Sequence, residues 1–269
     1  MASHVAPEDF GLTLDHMRFT LDAEHQVARL VIDRPGKLNA ITMPMRDQIA
    51  ELFYRLEKDG RARVVILRGA GHEAFTAGGE IAGFMEKEPG PISLLHENVA
   101  APERFPGIVI AAVDGYCFGV GLELALACDF RIATTRALFG HPEIRLGMIP
   151  GSGGSQRMAR LVGLSRAKDM VLQGRRIPAA EALQWGFLTQ VVEPDRLDAA
   201  ADALAAEMVA QPRLALETAK RVLNLGQNAS LETALQLEGY AYGMLRGTHD
   251  FAEGVRAFGE KRPPRFQAR

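Results

Sequence analysis

At 269 residues, 47% apolar and 24% charged, the chain can bury a sizeable core and sits near the upper limit for a single one, so one main domain with an appendage is expected. A formal charge of −2, spread over mixed Lys, Arg, Asp and Glu without a long single-sign block, argues against a nucleic-acid footprint and against a polybasic membrane patch. Two cysteines, Cys117 and Cys128, have no CxxC or Cys/His spacing around them, which argues against a disulfide framework or a zinc site; no metal is expected.

The start, Met1 to Gly11, has no charged region followed by an apolar run, and it carries Glu8 and Asp9, which a transit peptide avoids. It reads as a disordered tail. No apolar run reaches the roughly 20 residues that a bilayer span needs, so the expectation is a soluble cytoplasmic protein that binds no membrane. Val27 to Ile32 and Val64 to Arg68 read as short strands, each ended by a breaker, with a helical pattern from Thr42 to Lys58 between them. Ile108 to Val113 and Phe130 to Ala133 repeat that rhythm around a second helical segment, Gly121 to Ala127. Strands alternating with helices at this spacing predict an α/β layered fold with right-handed crossovers.

After Val191-Val192-Glu193-Pro194 the character changes. Leu197, Ala201, Leu204 and Met208 mark one helical stripe, and Leu214, Thr218, Val222 and Leu225 mark another. Leu231, Leu235, Glu238, Tyr242 and Leu245 continue the pattern, and Phe251, Val255 and Phe258 form a last stripe before Pro263-Pro264. The expected organisation is an α/β core over 1–194 and a helical region over 195–269. An apolar helical appendage of this kind predicts a homo-oligomer. Residue identities show no fixed-period repeat.

Three stretches carry candidate chemistry: Ala74 to Glu80, Asp114 to Glu123, and Phe139 to Glu143. In each, a β-run empties into small or glycine residues, which lets backbone N–H groups approach a ligand; tight turns are the plainer alternative. Gly119-Val120-Gly121 lacks the third glycine of a dinucleotide loop, Gly147 to Gln156 lacks the ending of a phosphate loop, and Ser152 does not sit in a nucleophile elbow. Glu123 lies in an apolar run where a carboxylate is costly to bury unless paired or used, and Glu143 follows a proline in a similar setting. Facing one cavity, the two could divide general-base and general-acid work. Otherwise one is an ion-paired structural Glu and the other a loop Glu, served by Arg131 or Arg145. His141 could assist proton transfer beside Glu143 or simply hydrogen-bond locally. Trp185 reads as a packed aromatic by a helix end.

Together these stretches resemble the enoyl-CoA hydratase/isomerase (crotonase) family from about Val27 to Phe266. Arg34-Pro35-Gly36-Lys37-Leu38-Asn39-Ala40 looks like the family's early CoA-binding turn, and Ile149 to Arg157 like its glycine-rich loop before a helix. Gly174-Arg175-Arg176-Ile177 with Ala179 to Gly186, and Glu253 to Phe258 with Glu260-Lys261-Arg262, are similar to its later signatures. The resemblance implies a crotonase-like ββα superhelix with a C-terminal helical trimerisation region, assembled as a trimer or a dimer of trimers. It implies an acyl-CoA substrate and no cofactor, coenzyme A being part of the substrate.

Carried over residue by residue, the thioester carbonyl would be held by the amides of Gly79 and Val120. Glu123 and Glu143 would be the two acids that hydratases of the family use, with Gly151 helping to hold the water. Lys37, Leu38, Ala77, Gly79, Glu80, Ile81, Val120, Phe258 and Lys261 would line the CoA and acyl path. The reaction implied is hydration of a 2-enoyl-CoA to a 3-hydroxyacyl-CoA. Three departures stand out: Val120 where glycine is common, Glu80 for the usual aspartate, and Ala82 where a CoA-contacting lysine is often found. They leave open isomerase, dehydratase or lyase chemistry, and residues between Ile81 and Phe105 are expected to set acyl size. A non-catalytic RNA-binding relative finds little support, because Arg46, Arg55 and Lys58 of the first helix are balanced by Asp47, Glu51 and Glu57.

Overall fold

The computed structural model describes residues 4–6, 10–84 and 94–269. Its larger sheet begins with β1 (His4–Val5), β2 (Met17–Asp22) and β3 (Val27–Ile32), joined antiparallel. Strand β2 alternates buried and exposed residues, the pattern of a sheet with one wet face. Parallel to β3 then run β4 (Val64–Gly69), β6 (Ile108–Val113), β8 (Phe130–Thr134) and β11 (Gln190–Val192), in the order β1-β2-β3-β4-β6-β8-β11. Every residue of β6 is buried, as expected for a parallel strand covered on both faces. The expectation of a disordered start is corrected at His4–Val5, where backbone pairing with Leu21 and Asp22 holds a strand; residues 1–3 and 7–9 of that expectation lie outside the described residues.

A second sheet is built from the short strands β5 (Ala74–Thr76), β7 (Tyr116–Phe118) and β9 (Leu138–Gly140), mutually parallel, with β10 (Arg176–Pro178) antiparallel to β9. The chain alternates between the sheets: β4 leads to β5, β6 to β7, and β8 to β9. Helix α1 (Met43–Asp59) precedes the first of these pairs; α2 (Leu95–Val99) and α3 (Ala101–Arg104) follow it. The second pair leads into α4 (Val120–Ala127), and the third leads through a 3-10 turn (Pro142–Leu146) to α5 (Gly154–Val162) and α6 (Leu164–Leu172). This is a ββα repeat of structure without a repeat of residue identity.

Helix α1 forms where a helix was expected, with Thr42 as its cap: the threonine hydroxyl accepts from the Met45 amide, and Gly60 ends the helix in the left-handed region. Its buried residues Met45, Ile49, Leu52, Phe53 and Leu56 join Leu30, Leu67, Val109 and Leu122 in one apolar core. Each such leucine contributes about 1.5–3 kcal/mol by burial.

After α7 (Ala179–Gln184), where Trp185 packs at the helix end as expected, the chain enters α8 (Leu197–Ala210). Two compact units divide within α8, between Ala205 and Ala206, later than the change of composition at 194. The buried stripe Leu197, Ala201 and Ala205 falls in the first unit. The second unit holds α9 (Arg213–Gly226), α10 (Leu231–Arg246) and α11 (His249–Glu260). Ser230 and Thr248 cap α10 and α11 by accepting from the amides of Thr233 and Phe251. Among the described residues no helix is long and apolar enough to cross a membrane.

Candidate active site

The three stretches singled out in the sequence are the C-terminal ends of three neighbouring strands. Thr76 pairs with Cys117, and Phe118 pairs with Gly140, so the exits of β5, β7 and β9 lie side by side. Ligands of parallel sheets commonly sit beyond such strand ends. Leaving β5, Gly78 O accepts from the Ile41 amide and Glu80 N donates to Ile41 O, which turns the Gly79 amide to the opposite side. Leaving β7, the chain turns at Gly119 and starts α4 at Val120, whose amide is one of the first-turn donors that a helix does not use internally.

Gly119 is required at this junction. Its φ of 53° and ψ of −127° lie in a region essentially restricted to glycine. A Cβ there would stand 3.7 Å from Gly78 Cα and 3.3 Å from Glu143 Oε1. The two backbones therefore run in contact, with Gly79 and Val120 each one residue beyond the contact point. The positive φ falls on Gly119, so Val120 opens α4 as an ordinary helical residue and the valine departure carries no strain.

One turn into α4, Glu123 is 2% exposed. Its Oε1 accepts from the amides of Ser152 (2.7 Å) and Gly154 (2.9 Å), both from the loop that opens α5. Arg46 of α1, itself 4% exposed, donates through Nη1 to Ser152 Oγ at 3.1 Å. Burial pulls the Arg46 guanidinium below its usual pKa, and the charge of Glu123 works against that pull. The loop is braced again by Arg157, which donates to Ser152 O and to Glu103 of α3. Gly154 leaves room for this arrangement: a Cβ there would lie 2.9 Å from Glu123 Cγ and 2.4 Å from His141 Cε1.

Glu143, in the 3-10 turn after β9, has its Oε1 3.7 Å from His141 Nδ1, while its Oε2 is buried without a hydrogen-bond partner. His141 is fully buried, and neither ring nitrogen has a partner. Service of the two acids by Arg131 or Arg145 is corrected. Arg131 spends its guanidinium on the carbonyls of Ala125, Cys128 and Phe187, and Arg145 donates to Gly174 O.

The early turn lies beside the same strand end. Leu38 and Asn39 adopt left-handed conformations, Leu38 O accepts from the Ala77 amide, and buried Asn39 donates to the carbonyls of Ala70 and Ala74. Arg34 pairs with Glu80 at 2.8 Å. Lys37 and Ile81 are exposed, and Gly151 borders open space. Phe258, 89% exposed, and Lys261, the left-handed C-cap of α11, belong to the second unit. Of the segment expected to set acyl size, residues 85–93 lie outside the described residues. Sequence reasoning missed Arg46 and the holding amides of Ser152 and Gly154. Arg46 did leave a signal, since with Ile49 and Phe53 it occupies the i, i+3, i+7 positions of a buried face. Among the described residues no group of three His, Cys, Asp or Glu could hold a metal ion.

Residues 22–269 match the family model described as enoyl-CoA hydratase/isomerase. The short-chain-enoyl-CoA hydratase of Clostridium acetobutylicum is 37% identical over 246 residues, covering 90% of this chain and 94% of the relative. The crotonyl-CoA hydratase of Syntrophomonas wolfei is 36% identical over 251 residues, with 91% and 96% covered. Among solved structures, the enoyl-CoA hydratase of Bacillus anthracis superposes with a TM-score of 0.88 at 33% identity, over 95% of this chain and all of that one. The similarity extends over the ββα core and the C-terminal helices alike.

Proposed function

This chain belongs to the enoyl-CoA hydratase/isomerase family and acts on acyl-CoA thioesters, and from that premise we propose that it adds water across the 2,3 double bond of an enoyl-CoA. The observation that carries this reading is the pair of carboxylates, Glu123 and Glu143, grouped with the Gly79 and Val120 amides at the exits of three adjacent strands.

In the proposed reaction the thioester oxygen lies between those two amides. Charge moves onto that oxygen as water attacks C3, and a donor of this kind is worth about 3–4 kcal/mol. The N-terminal end of α4 adds to the same stabilisation. Glu123 is anchored through Oε1 by Ser152 and Gly154, which leaves Oε2 to take the proton from the attacking water. Glu143 delivers a proton to C2. The hydroxyl of the water bonds to C3 while its other proton passes to Glu123, the proton on C2 comes from Glu143, and proton exchange with solvent then leaves Glu123 ionised and Glu143 protonated again.

The test is turnover of an enoyl-CoA panel, beginning with crotonyl-CoA, by wild type beside Glu123→Gln and Glu143→Gln. Wild type is expected to yield a product heavier by one water, and each variant to fold, bind CoA and lose at least about a hundredfold in kcat. A product of unchanged mass would replace hydration by isomerisation. Activity retained in both variants would refute the two-carboxylate mechanism.

A further inference from the structure

We propose that His141 is the positioning residue of Glu143: its Nδ1–H donates to Glu143 Oε1 and fixes the carboxyl group in the orientation that faces C2 of the acyl chain. The proposal rests on the reading above for the task it gives Glu143.

His141 and Glu143 form an unsatisfied cluster. A neutral imidazole carries one N–H and one lone pair, and buried polar atoms of this kind nearly always find partners. Here three side-chain atoms from two residues are buried without one: His141 Nδ1, His141 Nε2 and Glu143 Oε2. His141 Nδ1 and Glu143 Oε1 face each other at 3.7 Å, just beyond hydrogen-bond reach. The ring has no room behind it, because its Cε1 and Nε2 lie against Gly154, where even a Cβ would clash at 2.4 and 2.9 Å.

Glu143 lies on the ring's own turn, Glu123 of α4 abuts the same Gly154, and Arg46 of α1 stands beyond Glu123 on the Ser152 side. Glu123 already has two amide donors and needs none from His141. Glu143 has none, and it is the acid that must be aimed. The separation exceeds hydrogen-bond reach by only a few tenths of an ångström. Apo catalytic hydrogen bonds are often long and tighten when substrate is bound.

Three variants test this. His141→Leu keeps bulk and removes both nitrogens, His141→Asn keeps an N–H on Cγ where Nδ1 stands, and His141→Gln carries the same amide one carbon further out, where Nε2 stands. The readouts are kcat and KM for hydration of crotonyl-CoA, and the entry of solvent deuterium at C2 of butyryl-CoA, which reports proton transfer at C2 whether or not water adds. Expected is a fall of about tenfold or more in kcat and in exchange for Leu and Gln, with KM within about twofold and most activity restored by Asn. In a Glu143→Gln background, His141→Leu should cost nothing further, because the two act as one unit.

Wild-type exchange in the Leu and Gln variants, Asn no better than Gln, or losses that multiply with those of Glu143→Gln would overturn the proposal. If the Leu variant does not fold, the contrast between Asn and Gln decides alone. Wild type that exchanges C2 but hydrates no enoyl-CoA overturns the hydratase reading and leaves His141 to be judged on exchange. Wild type that does neither overturns both.

Discussion

Arg46 is a cation on the buried face of α1, among Met45, Ile49 and Phe53, where a guanidinium is expensive unless it serves a charge. What it serves is the Ser152 loop and, through space, Glu123. Replacement by methionine fills the volume but leaves the Ser152 hydroxyl without this donor and Glu123 without this cation. Arg46→Met is expected to lower stability by about 1–3 kcal/mol, the cost of deserting a buried polar group. It should also lower kcat by about tenfold, because the Ser152 loop that anchors Glu123 through Oε1 is then less firmly held. Chemical denaturation and crotonyl-CoA kinetics check the two parts separately. Lysine should not restore activity, since its point charge cannot reproduce the guanidinium geometry. Undiminished kcat in Arg46→Met would remove Arg46 from the site.

The elements around the site meet at junctions, and the one between β7 and α4 depends on a backbone conformation that only glycine adopts readily. Gly119→Ala puts a Cβ into a conformation costing about 1–3 kcal/mol for a non-glycine residue, and aims it at Glu143 Oε1 3.3 Å away. The variant is expected to unfold at lower denaturant and to lose activity beyond what its stability loss explains; wild-type kcat in a folded variant would contradict the packing described here. This junction also shows what could be read in advance. Glycine clusters at 78–79 and 119–121 and the acids at 123 and 143 were visible as a pattern. Their convergence was not, because β5, β7 and β9 span three residues each, too short for any alternation to show. A second sheet therefore left no periodic trace, while α1, β3 and β6 were legible almost residue for residue. His141 was legible only as a neighbour of Glu143: nothing in a sequence reveals that both nitrogens of a buried ring lack a hydrogen-bond partner.

At the scale of the whole molecule, the helical region after 194 was legible from its apolar stripes, but the place of division was not. Helix α8 runs through it, and a stripe such as Leu197, Ala201 and Ala205 does not announce which unit buries it. The second unit also carries the clearest acid-sensitive feature. Glu253 of α11 accepts from Arg262 at 2.6 and 3.0 Å and from the Arg265 amide at 2.9 Å. The hydrogen bonds from Arg262, and then the Arg265 amide, hold its carboxyl down from 4.5 to about 2. Next to it, burial pushes the Asp250 carboxyl up, but the amides of Gln267 and Ala268 more than offset this and leave it below its usual value. Between 4.5 and about 2 the unfolded chain binds a proton at position 253 that the folded chain does not. The contribution of Glu253 is thus fully present above the upper value and is lost as pH falls through the lower one. Glu253→Gln should lower the unfolding midpoint near neutral pH and flatten the decline that wild type shows across this acid window. Thermal or urea unfolding of both proteins at several pH values between about 7 and 2 measures it. Parallel wild-type and variant curves would mean that the Arg262 pair does not tie the chain end to α11 in solution.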